Sequence, residues 1–307
     1  MRDIIRVLRR IHGSIHDALY KKKYEENMKA DVLAKQRACC IRVLSIDDTL
    51  AQLEKGKSMC RFGDGEMEII LGNGIGFQKQ NADLGQKLID ILSENADEQI
   101  VVCVPDALVT LDNLTDTSIK HWVQNMTQHF EDWMHYLNRD YTYGTTNVTR
   151  CYMRYKDKTN CLRWFSRLQN LWFNKDIVIV EGYETRAGIG NDMFDNSRSI
   201  QRILCPSENA FEKYDEILSY IINNVSKNAM ILIALGPTAT VLSWDLAKKG
   251  YRALDIGHCD IEYSWCKMGL TEKRTVKGKY TNEVTGGNVV EDITDNVYSQ
   301  QIIKTIQ

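Results

Sequence analysis

Residues 230–240 read Met230-Ile231-Leu232-Ile233-Ala234-Leu235-Gly236-Pro237-Thr238-Ala239-Thr240. The run Met230–Leu235 does not alternate apolar with polar residues, the habit of a strand covered on both faces. Gly236-Pro237 ends it, and proline fits the first turn of the helix predicted over Val241–Lys249. Strand, tight turn and helix in that order make half of a βαβ unit. Working outward, similar apolar runs occur at Met59–Phe62, Ile100–Val104, Ile177–Val180, Ile200–Leu204 and Ala253–Ile256. Helical periods separate them. Asn81 can cap a helix carrying Leu84, Leu88, Ile91 and Leu92, and Ser207 one carrying Phe211, Tyr214, Ile217, Leu218 and Ile221. The expected fold is α/β, a mostly parallel sheet with helices on both faces.

The flanks read differently. Residues 117–173 are rich in Trp, Tyr and His and show no clear strand, which predicts a helical insertion with loops. The tail beyond about residue 270 is polar, with Gly286-Gly287 and few apolar anchors, and reads as a loosely attached extension. At the other end Ile4, Leu8, Ile11, Ile15 and Leu19 recur at helical spacing, and residues 1–23 carry a net charge of +5. Such an amphipathic helix suits an anionic membrane surface or a partner protein. More simply, it packs its apolar stripe on the main domain or on a second subunit of a homo-oligomer. The implied division is 1–44, 45–270 and 271–307.

Composition narrows the function. With 43% hydrophobic and 26% charged residues over 307 positions, the chain can bury a full core without disulfides or metal. A net charge of −2 gives no global basic field, so nucleic acid is not an expected partner. Nine cysteines, an odd count without any Cys-x-x-Cys, suit reduced thiols in a cytoplasm. Arg6, Arg9 and Arg10 interrupt any signal-peptide core, and no stretch approaches the roughly 18 apolar residues of a membrane span.

Chemistry concentrates at strand ends, where open α/β sheets bind ligands. Arg61-Phe62-Gly63-Asp64-Gly65-Glu66 puts two carboxylates on a glycine turn, a spacing that suits a hard divalent cation or, equally, the cap of the next helix. Glu181 to Asp192, with Arg186, Gly188 and Gly190, resembles a ligand loop in which Arg186 could clamp a phosphate. It lacks the third glycine of the dinucleotide fingerprint. Gly236-Pro237-Thr238 opens a helix, whose free amides and hydroxyls favour an anion. Asp255-Ile256-Gly257-His258 leads to Asp260 and Glu262 and can present an imidazole beside carboxylates.

In this order the segments resemble the GT-D type glycosyltransferases, bacterial enzymes with a Rossmann-like fold. The resemblance covers roughly residues 45–270. It rests on Arg-Phe-Gly-Asp-Gly-Glu with Phe77-Gln78 downstream, Gly188-x-Gly190-Asn191-Asp192, Arg202-Ile203 before Pro206, Gly236-Pro237-Thr238-Ala239 and Asp255-Ile256-Gly257-His258. Asn147-Val148-Thr149-Arg150-Cys151-Tyr152 is similar to the family's loop before the middle helix, with departures at Val148 and Cys151. The resemblance implies metal-dependent transfer from a nucleotide sugar, a UDP-hexose such as UDP-glucose, to a glycan, lipid-linked or glycoprotein acceptor. Asp64, Glu66 and His258 would hold Mn²⁺ or Mg²⁺ and, with Asp192, form the catalytic set. Arg61, Gly63, Glu181, Arg186, Gly188, Gly190, Asn191, Gly236, Pro237, Thr238 and Asp255 would bind the nucleotide sugar. Asp192, Glu181 and Asp260 are candidate bases if the anomeric centre inverts. Two rival readings are a metal-dependent phosphohydrolase or nucleotidyltransferase and a non-catalytic nucleotide-binding assembly subunit.

Overall fold

Every residue of Ser58–Arg61 (β2) and Ile100–Val104 (β3) is buried, as the unbroken apolar run of β3 requires and as the Arg61 ion pair permits in β2. They belong to one parallel sheet in the computed structural model, which describes residues 21–94, 98–281, 283–291 and 295–307. The other strands are β1 (Arg42–Val43), β4 (Thr142–Thr145), β5 (Asp176–Gly182), β6 (Ser199–Cys205), β7 (Met230–Ala234), β8 (Arg252–Asp255) and β9 (Ile302–Thr305). Their order is β1-β4-β3-β2-β8-β7-β5-β6-β9. From β2 the chain moves outward through β3 and β4, whereas β8 is entered from β7 on the opposite side. The order therefore reverses between β2 and β8, and a crevice opens beyond their carboxyl ends.

The helices follow their sequence signals with one exception. Asn81 Oδ1 accepts from the Leu84 amide at 3.0 Å and caps α4 (Ala82–Glu94). Pro237 opens α8 (Pro237–Lys248). Ser207 caps nothing. Asn209, in the left-handed region, starts a 3-10 turn that leads into α7 (Tyr214–Asn224), and Ser207 Oγ instead accepts from the Glu184 amide. Residues 21–38 are helical (α1), with Val32 in the core and Gln36 Nε2 donating to the Ala107 carbonyl at 2.6 Å, and α2 (Ile46–Glu54) follows β1. The amphipathic stripe expected from Ile4 to Leu19 lies outside the described residues. No helix among the described residues is long and apolar enough to cross a membrane.

Two expectations about the flanks need correction. The region 117–173 supplies α5 (Asp116–Tyr136) and α6 (Cys161–Leu171), but β4 lies between them, pairing with β3 and β1. Its sequence Thr-Tyr-Gly-Thr has no apolar run. Gly144 is there because a Cβ would come within 2.6 Å of Cys103 Sγ on the neighbouring strand. The tail is not loosely attached either, for β9 completes the sheet against β6.

A buried cation secures that edge. Arg202 on β6 is 2% exposed and donates from Nη1 to Glu181 Oε1 at 2.6 Å and from Nε to Gln301 Oε1 at 2.7 Å. Its guanidinium lies 4.7 Å from the centre of the Tyr298 ring in α10 (Asn296–Gln301). Removing one partner of such a pair strands the other charge in the core. Arg202→Met should lower the unfolding free energy by about 3–5 kcal/mol, with part recovered by adding Glu181→Leu. Urea unfolding of the two variants tests this, and a loss under about 1 kcal/mol in the single variant contradicts it.

Candidate active site

β2 delivers Arg61 to the crevice, and Gly63 then caps α3 (Asp64–Ile70). Glu66, in the third position of that helix, turns back so that Oε2 accepts from the Gly63 amide at 2.7 Å. This carboxylate satisfies the N-cap amide at the start of the helix, while the Asp64 carboxylate stays 40% exposed and lies 3.1 Å from His121 Nε2 on α5. Helix cap and open carboxylate thus coexist on one short turn. Alongside, Arg61 donates from Nη2 to Asp255 Oδ1 at 2.6 Å and from Nε to the Asp255 carbonyl at 2.8 Å. Gly257, at φ +44°, admits that guanidinium, since a Cβ would lie 1.9 Å from Nη2. At the end of β7 the half-buried Phe77 ring packs over Gly236, where a Cβ would lie 2.5 Å from it.

These groups line a cavity of about 790 Å³, together with Arg150, Arg154, Trp122 and Glu283. Arg150 follows the 3-10 turn after β4 and pairs with Glu283, while Glu262 Oε1 lies 4.0 Å from its Nε. Glu262 is fully buried in α9 (Cys259–Lys267) and accepts from the Tyr152 and Met153 amides at 3.1 and 2.9 Å. His258 Nδ1 and Lys273 Nζ reach the Glu283 carboxylate at 3.3 and 2.5 Å.

Of the residues singled out from the sequence, the fold brings Arg61, Gly63, Asp64, Glu66, Gly236, Asp255 and His258 to the cavity wall. It does not bring the loop from Glu181 to Asp192 there with its expected side chains. Glu181 is buried against Arg202. Arg186 donates to the Gly278 and Glu291 carbonyls at 3.0 and 2.6 Å, tying down the tail. Gly188, Gly190 and Asn191 shape a turn fastened to α9, where Asp260 Oδ1 accepts from the Gly188 amide and from Asn191 Nδ2. Asp192 accepts from the Tyr263 hydroxyl, away from the cavity lining. Pro237 and Thr238 are buried in the first turn of α8 and do not line the cavity. Among the candidate bases only Asp260 borders the cavity, and its Oδ2 is held by Lys279 Nζ at 2.6 Å. Among the described residues no three His, Cys, Asp or Glu side chains gather with metal-ligand spacing. His258 turns to Glu283 instead of completing a trio with Asp64 and Glu66.

The wall residues that sequence reasoning misses are Trp122, Arg154 and Glu283, with His121 behind them against Asp64, and Arg150 is legible only as part of a loop. They come from the supposed insertion and tail, and no strand-end motif marks them. Two arginines four positions apart, in a segment otherwise dominated by Cys and Tyr, were the available signal.

The site is electrostatically divided. Burial, then the charge of Asp255, pushes Glu66 up to about 7. Burial also raises Asp255, against the pull of Arg61. For Asp64 burial acts upward too, but the His121 hydrogen bond and the positive charges of His121, Arg154 and Arg150 hold it down at about 2. Burial pushes His258 down to about 4, so its imidazole is neutral at neutral pH.

The parallel α/β sheet thus brings acids and arginines to one crevice at its switch point, the place where open sheets of this kind bind ligands. The family model for the glycosyltransferase GT-D fold matches residues 59–284, and the chain belongs to this family. It is 40% identical over 267 residues to "Probable glycosyl transferase Gly" of Streptococcus gordonii, covering 87% of this chain and 39% of that protein. With glycosyltransferase GlyD of Streptococcus pneumoniae serotype 4 it shares 37% identity over 303 residues, 96% of this chain and 37% of the other. The chain therefore spans somewhat over a third of the length of these curated relatives. A solved domain described as having a distinct glycosyltransferase fold superposes with a TM-score of 0.85 at 37% identity, over 91% of this chain and all of that one. A second, described as a new glycosyltransferase from Streptococcus sanguinis, gives a TM-score of 0.83 at 39% identity, over 87% of this chain and all of its own.

One consequence of the divided electrostatics is measurable. In the folded chain Glu66 keeps its proton to about pH 7, whereas unfolded it does so only to its ordinary 4.5. The folded state binds more protons between those values, so this residue's contribution to stability falls as pH rises through the window. Between about pH 5 and about pH 8 the wild-type chain should lose up to about 3 kcal/mol relative to Glu66→Gln in urea unfolding. Parallel pH profiles for the two proteins would refute the buried, proton-holding carboxyl.

Proposed function

We propose that the chain is a glycosyltransferase that moves a hexose from a nucleotide sugar, a UDP-hexose such as UDP-glucose, to a glycan acceptor in surface polysaccharide or glycoprotein assembly. The observation that carries this reading is the cavity at the switch point, with an open carboxylate at Asp64 and with Arg150 and Arg154 on its wall beside Arg61. Membership in the GT-D family and the names of the relatives support it. In this reading Arg150 and Arg154 face the donor's negative charge, and Phe77, half-buried over Gly236, offers an aromatic face to a base. The Arg61–Asp255 pair keeps the ends of β2 and β8 together beneath the donor. Transfer would take place in the cytoplasm, with residues 1–23 docking on a membrane face that carries lipid-linked acceptors.

The residues fit part of a Mn²⁺ or Mg²⁺ site. Asp64 presents carboxylate oxygens to the cavity, which Glu66 and Asp255 also line, Glu66 turned back onto the Gly63 amide and Asp255 paired with Arg61. Hard cations take such oxygens and complete their shell with water and substrate phosphate. Asp64 and Glu66 would hold the ion, which when bound would compensate charge on the departing diphosphate. Stabilising that charge is the main demand of the reaction, and the arginines add to it from the protein side.

Asp64→Asn should cut transfer from UDP-glucose at least about 100-fold while leaving the melting temperature nearly unchanged, because the side chain is half-exposed. Chelation with EDTA should abolish turnover, and added Mn²⁺ should restore it. A fully active Asp64→Asn enzyme would remove this carboxylate from the chemistry. Indifference to EDTA would leave the arginines as the sole compensation.

A further inference from the structure

The cluster around Glu283 is built like an occupied anion site. Its carboxylate accepts from Arg150 and from Lys273 Nζ at 2.5 Å and lies 3.3 Å from His258 Nδ1. Four residues from Arg150, Arg154 also lines the cavity. Among the described residues its guanidinium has no hydrogen-bonded or ion-paired carboxylate, and it lies 5.6 Å from the centre of the Trp122 ring. Asp64, Glu283 and Glu262 act on this guanidinium only through space, and next to another guanidinium in a low-dielectric wall it gains from an anion that bonds it directly.

The two carboxylates on Arg150 are unequal. Glu262 is fully buried and pinned by two main-chain amides, so it stays. Glu283 hangs from the C-terminal segment, whose residues Glu283 to Gly286 themselves form part of the cavity wall. Only Glu283 is placed to leave and be replaced.

We infer that Arg150 and Arg154 form the seat for the diphosphate of a nucleoside diphosphate, and that Glu283 is a built-in placeholder which the ligand displaces. This rests on the donor reading above. The exchange is of like for like. Arg150 gives up one carboxylate for phosphate oxygens it can grip bidentately, Arg154 gains a direct ion pair, and His258 and Lys273 pass to the newcomer. A neutral sugar cannot make this exchange. The segment carrying Glu283 therefore opens for the charged donor and stays shut to the sugar alone.

Calorimetric titration of the full chain with inorganic pyrophosphate and with UDP, each with and without Mn²⁺, tests the assignment. Glu283→Gln should bind both ligands about tenfold tighter, the scale of one charge-assisted hydrogen bond no longer competed for. Arg154→Met should bind both at least about tenfold weaker. Equal or weaker binding in Glu283→Gln, or unchanged binding in Arg154→Met, would overturn the proposal. Hydrogen exchange on the wild-type chain covers the case of a variant that does not fold: the amides of residues 283–289 should exchange faster when pyrophosphate is saturating, and unaltered protection counts against displacement. Pyrophosphate bound but UDP refused would keep the seat and sink the donor reading alone. Neither ligand bound by wild type or variant would remove the seat.

Discussion

Between β2 and β8 the ladder is a single register pair, Met59 opposite Leu254. The two halves of the sheet meet there, and the side chain of Arg61 does much of the joining. It bonds both the carbonyl and the carboxylate of Asp255, while Thr240 Oγ1 on α8 donates to the Arg61 carbonyl at 2.8 Å. Gly257 leaves room for the guanidinium and Gly236 for Phe77, so two glycines in the left-handed region are steric necessities of this junction. A buried pair of this kind contributes more to defining one arrangement than to net stability. Without it the carboxyl ends of β2 and β8 would not hold the spacing that the crevice needs.

The strands that are legible in the sequence, β2, β3, β5, β6, β7 and β8, each carry a short apolar run, continuous in β3, β5 and β7 and broken by Gln201 and Arg202 in β6. β4 was invisible because its fitness for the sheet lies in Gly144, whose lack of a side chain matters only once Cys103 and Val101 are beside it. β9 was invisible because an edge strand, partly exposed along its length, needs little hydrophobic signal. Local pattern cannot encode either fact.

The same limit explains the site. Motifs directly at the ends of β2, β7 and β8 reach the cavity because strand position fixes them. The loop after β5 has the glycines, arginine and acids of a ligand loop, yet uses them on the protein itself. Gly188 and Gly190 make the turn, Asp260 holds it, and Arg186 anchors the tail. Backbone that approaches a ligand and backbone that approaches a neighbouring helix make the same demand on composition. Conversely, Arg154 and Glu283 are ordinary in sequence, and only the fold leaves one without a directly bonded carboxylate and gives the other several partners.

The placement of β9 has one more consequence. A chain ended near residue 270, where the polar composition invites a cut, would strip the outer edge of β6 of its partner, leaving a row of unpaired amides and carbonyls over a buried arginine. Naked parallel edges recruit strands from other molecules. A fragment trimmed for convenience would thus carry a ready template for self-association, and its behaviour in solution would misrepresent the intact fold.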